Sequence, residues 1–114
     1  MDIYMKTKYG NYSSTQIEKV KSRIRKSIFF LLLYVDPQTK SDYPDINIEE
    51  AFLNLQYTLN GLNRILCEPP ELVITMSLLE SALNELHDVD FNYGRYRKLI
   101  LDAGSEIMNV KEGD

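Results

Sequence analysis

With 114 residues, 44% of them apolar and 26% charged, the chain is sized for one domain with its own core, and neither a disordered nor a membrane-embedded class is favoured. The longest apolar run, Ile28 to Val35, is eight residues, far short of the roughly 20 that a membrane-crossing helix needs. The net charge of −4 is unevenly spread: the first 30 residues carry seven cations (Lys6, Lys8, Lys19, Lys21, Arg23, Arg25, Lys26) against Asp2 and Glu18, so the remaining 84 carry −9. Such polarity serves either an acidic partner or a basic helix lying against acidic neighbours of its own bundle.

Residues 1–13 read as an amino-terminal tail. They have no apolar stretch of the kind a leader requires, so a cytoplasmic location is expected. Tyr4, Lys6, Lys8, Tyr9 and Tyr12 interleave aromatics with lysines, a composition suited to stacking on bases or to packing on a bundle. From there Ile17, Val20, Ile24, Ile28, Leu31 and Val35 recur at steps of three and four, predicting a first helix over about Ser14 to Val35. Ser13 and Gln16 have the form of a capping box, and Asp36-Pro37 stops the helix because proline disfavours helical geometry in the residue before it. DPQTKSDYPDI then reads as a loop.

A second helix starts from the cap Asn47, with Ile48, Phe52, Leu55, Leu59, Leu62 and Leu66 at heptad spacing. The alternative reading of Asn60-Gly61 as a hairpin turn lacks flanking strand alternation. Pro69-Pro70 separates the third helix, for which a proline at the first position is no handicap, its missing N–H having no partner there anyway. Its stripe is Leu72, Met76, Leu79, Leu83 and Leu86, with Val73 and Ala82 on the margins. After HDVDFN comes a fourth stripe of Tyr96, Leu99, Ile100, Ala103, Ile107 and Val110. The expected fold is all-α: a single-domain, up-down antiparallel four-helix bundle over residues 14–110, with a short tail at 111–114.

Catalytic chemistry finds no foothold in this pattern. His87, the single histidine, falls at the end of the third helix, where it interacts favourably with the last carbonyls. Without Glu-x-x-His there is no di-metal bundle site, and neither a Walker loop nor a dinucleotide turn occurs. Cys67 has no internal disulfide partner and an apolar neighbourhood, as an ordinary buried thiol does. The expectation is a non-enzyme without metal, cofactor or small-molecule substrate.

Two features point to partners. Lys19, Arg23 and Lys26 share a face opposite the first helix's core stripe, with Lys21 and Arg25 toward its flank, and Arg95, Arg97 and Lys98 form a second basic cluster. Phe29, Phe30 and Leu33 make the carboxyl half of the first helix apolar nearly all round, while Leu53, Tyr57, Ile74 and Leu78 also project from their stripes. Either a loop or the tail covers these residues, or they form an interface. The expectation is a small protein-interaction module of adaptor, immunity, antitoxin or inhibitor type, binding a protein partner or itself through the apolar half of helix one. The alternative is a nucleic-acid-binding accessory subunit using the basic face, with Lys19, Arg23, Arg25, Lys26, Arg95, Arg97 and Lys98 as contacts.

Overall fold

A computed structural model of the chain describes residues 4–7, 10–66 and 68–110, with side chains from residue 16 onward except that of Cys67. The side chains read for the tail, the Ser13 half of the capping box, Cys67 and residues 111–114 lie outside the described residues. Two short strands, β1 (Tyr4–Thr7) and β2 (Gly10–Ser13), pair antiparallel with Tyr4 opposite Ser13 and Thr7 opposite Gly10. The second strand runs directly into α1 (Ser14–Leu33), which is followed by α2 (Ile48–Ile65), α3 (Pro70–Leu86) and α4 (Tyr93–Ile107).

The helices begin and end where local chemistry directs. Asn47 caps α2, its Oδ1 accepting from the Glu50 amide at 3.1 Å, and Asn92 caps α4 by accepting from the Arg95 amide at 3.0 Å. Pro70 opens α3, and α2 runs straight through Asn60 and Gly61, so no hairpin forms there. At the end of α1 the chain turns at Leu33, whose carbonyl accepts from the Thr39 hydroxyl at 2.7 Å. Asp36 organises the connection: one carboxylate oxygen accepts from the Gln38 amide and the other from the Tyr93 hydroxyl of α4, at 2.8 and 2.9 Å.

Each helix packs on its sequence neighbours, and α1 also packs on α4, closing the ring. The directions are antiparallel. Tyr96, near the start of α4, bonds Leu31 near the end of α1, whereas Lys21, near the start of α1, bonds Val110 just beyond α4. Glu49 at the start of α2 meets His87 at the end of α3, and Gln56 donates to the Met76 carbonyl midway. The molecule is therefore an up-down four-helix bundle. Among the described residues, no helix is long and apolar enough to cross a membrane.

Its interior holds the expected stripes of α2 (Phe52, Leu55, Leu59, Leu62, Leu66) and α4 (Tyr96, Ile100, Ala103, Ile107, Val110). Helix α3 is rotated from the predicted stripe: Thr75 and Ala82 are fully buried beside Leu72 and Leu79, while Met76, Leu83 and Leu86 are half-buried. This helix lies closest to α4, and Thr75, Ala82 and Ala103 are small enough for near approach of the two backbones. The Thr75 hydroxyl is satisfied by donating to the Glu71 carbonyl at 2.7 Å.

Candidate interaction surface

The basic face and the apolar half of α1 meet on the outside of the bundle. Lys19, Arg23, Arg25 and Lys26 are all exposed, and among the described residues none has a carboxylate within ion-pair distance. Among the described residues, the acidic remainder of the chain thus forms no ion pair with these four cations. Lys21 is different: only 4% exposed, it donates to Glu18 Oε1 at 2.8 Å and to the Val110 carbonyl at 2.7 Å. Its long stem carries the ammonium to a position where two acceptors compensate for lost water.

The candidate apolar residues divide. Phe30 stacks on Tyr34, with ring centroids 5.9 Å apart, and meets the edge of Tyr43 at 6.3 Å, so the α1–α2 connection folds back over it. Leu33 and Leu78 are also half-buried, and Leu78 packs against the core. Phe29, by contrast, is 49% exposed, and Leu53, Tyr57 and Ile74 are exposed on the outer sides of α2 and α3.

Phe29 stands at a groove between α1 and α4. Arg25, Ile28 and Phe29 line it from α1 and Ile100, Leu101, Gly104 and Ser105 from α4; Ile28 and Ile100 are buried, Phe29 and Leu101 exposed, and the open depression has a volume of about 350 Å³. A side chain placed on Gly104 would project into this space, its Cβ 3.9 Å from Ile28 Cγ2 and 4.0 Å from Arg25 Cγ. Lys26 borders the adjoining hollow with Arg25 and Phe29. Leu101, Gly104 and Ser105 were not singled out in the sequence: the helical period leaves Leu101 outside the fourth stripe, but nothing local says that it shares a groove with Phe29.

The second basic cluster is not gathered into one surface. Arg95 is held internally, its guanidinium donating to Glu85 Oε1 at 3.0 to 3.1 Å and to the Asp90 carbonyl at 2.9 Å across the α3–α4 turn. That ion pair, together with the Asn92 amide, keeps the Glu85 carboxyl below the usual carboxylate range. Arg97 and Lys98 remain exposed. His87 caps α3, and its Nε2 lies 3.2 Å from Glu49 on the surface, an arrangement that ties α2 to α3. Among the described residues, no three His, Cys, Asp or Glu side chains gather closely enough to hold a metal ion. No known protein family matches the chain, and neither does any curated protein or solved structure.

Proposed function

We propose that the chain is a small non-enzymatic interaction module that binds a protein partner through the outer side of α1. The observation that carries this reading is the half-exposed Phe29 standing among cations that have no internal counter-charge among the described residues. Apolar surface rimmed by polar groups is the usual composition of a protein interface, and an aromatic anchor with arginine beside it is the usual composition of its energetic centre. Adaptor, immunity, antitoxin and inhibitor proteins are all compatible with a body of this size and charge.

The unpaired cations also support a second reading, a nucleic-acid-binding accessory subunit. Light scattering during size exclusion, at low and high salt, with and without a single-stranded oligonucleotide, separates the two. A mass increase with oligonucleotide that vanishes at high salt and in the Lys19→Glu, Arg23→Glu, Lys26→Glu variant supports nucleic-acid binding. Indifference to the oligonucleotide, combined with a protein that co-elutes with the wild type but not with Phe29→Ser, Leu101→Ser, supports the interaction module.

A further inference from the structure

We infer that the groove between α1 and α4 is a docking site for an amphipathic helix of a partner protein, one whose apolar stripe is flanked by carboxylates. This deepens the interaction-module reading, on which it rests, by naming the occupant. The groove is a depression between two antiparallel helices, lined by residues 25–29 of α1 and 100–105 of α4, with the exposed Phe29 and Leu101 at its surface and the buried Ile28 and Ile100 beneath. Gly104 keeps its floor low, so an incoming backbone can approach α4 closely. A helix seated in such a depression presents apolar anchors at spacings of three and four residues and would become the fifth helix of the bundle.

Charge determines the kind of helix. Arg25 and Lys26 stand at one end of the apolar stretch. Arg97 precedes Leu101 by one turn of α4, which places it toward the other end. All three are exposed and lack an ion-pair partner among the described residues, so carboxylates arriving beside them break no existing pair. A second copy of the chain fits poorly, because a two-fold contact through this groove sets the same three cations of both copies against one another. A nucleic-acid backbone satisfies the cations but leaves the exposed Phe29 and Leu101 without an apolar partner. An acidic amphipathic helix answers both features.

A display library of helical peptides of roughly 18 residues, about five turns, provides the test. Its apolar positions are held at helical spacing, and its flanking positions vary among Glu, Gln and Lys. Selection on the full chain is expected to enrich Glu at the flanks. Titration of the selected peptide is expected to shift the amide resonances of Arg25, Phe29, Leu101, Gly104 and Ser105. Arg25→Glu with Lys26→Glu weakens this binding about tenfold or more, and a peptide with Lys in place of Glu regains it on that variant. Enrichment of Lys or Gln, shifts that map to Leu53 and Tyr57 on α2, or binding unaffected by the charge reversal overturns the assignment of the groove but leaves the interaction module standing. A library that yields no binder, with the groove resonances moved only by a single-stranded oligonucleotide, overturns both.

Discussion

The Tyr96 hydroxyl donates a 2.6 Å hydrogen bond to the Leu31 carbonyl across the α1–α4 seam. Helix α1 ends close by, and the Val35 amide bonds the Leu32 carbonyl, leaving that of Leu31 to the phenol. Tyr96→Phe therefore strands a buried acceptor, and urea denaturation is expected to record a loss of about 1–3 kcal/mol. Burial raises the Tyr96 phenol above its ordinary range, with Tyr93 adding to the shift. Tyr93 is raised as well, by burial and by its bond to Asp36. A phenol that ionises later in the folded chain than in the unfolded one contributes stability below the unfolded value and loses it as pH rises toward the folded value. Stability is accordingly expected to fall above about pH 10, more gently in Tyr96→Phe. Equal alkaline slopes in the two proteins would count against this origin.

Lys21 fastens the segment just beyond α4 to the first half of α1. Lys21→Met keeps the apolar stem but leaves the Val110 carbonyl without its charged donor, an expected loss of about 1.5–3 kcal/mol by chemical denaturation. Glu18→Gln is expected to do far less, since the Glu18 side chain is 57% exposed and an exposed pair contributes little. A larger effect from Glu18→Gln than from Lys21→Met would reverse this assignment.

The Glu85–Arg95 pair, though at the surface, shapes the acid limb of stability. The Glu85 carboxyl is held low mainly by the Arg95 hydrogen bond and next by the Asn92 amide. Its contribution is complete above the unfolded carboxyl value and disappears as pH falls through the depressed folded value. Glu85→Gln should flatten the decline in stability below about pH 4.5, the ordinary glutamate region, as followed by circular dichroism melts across the acid range.

Two glycines inside helices have room for a methyl group. Nothing lies within 4 Å of a Cβ built on Gly61, and one built on Gly104 makes only ordinary contacts with Ile28 and Arg25. Each Gly→Ala change is expected to stabilise the fold by about 0.5–1 kcal/mol through the lower entropy of the unfolded chain. Urea midpoints check this directly, and destabilisation by Gly61→Ala would contradict the open space around it.

The exposed cations of α1 are expected to add nothing to stability. Lys19 and Arg23 are four residues apart and Arg23 and Lys26 three, so they repel one another along one face with no internal compensation among the described residues. Arg23→Glu alone is expected to raise stability by a few tenths of a kcal/mol, about one helix-surface charge pair. A marked loss of stability on thermal melting would assign these residues a structural role instead.

Much of the fold could be read along the chain because its signals are local. The cap Asn47, the proline opening α3 and the strict heptads of α2 each act within one or two turns of backbone, and each appears in the structure as expected. Helix α3 was less legible. Both Leu72-Met76-Leu79-Leu83 and Leu72-Thr75-Leu79-Ala82 satisfy helical spacing, and the near approach of α4 selects the smaller set. The pairing of the first residues into β1 and β2 also escaped the pattern, for that segment has no alternation of apolar and polar residues.

Within the candidate site, residue type and helical face were legible for Phe29, Arg25 and Lys26, all placed on the outer half of α1 by the 3.6-residue period. The period does not reveal what lies opposite. Tyr43 returns over Phe30, Lys21 finds the Val110 carbonyl 89 residues away, and Leu101 with Gly104 comes to line one groove with Phe29. The sequence alone thus determined four amphipathic helices and a basic, apolar first helix, since those depend on neighbours along the backbone. Tertiary structure decided which of the apolar residues are covered and which cations stay unpaired, because contact across a seam is set by how whole helices pack.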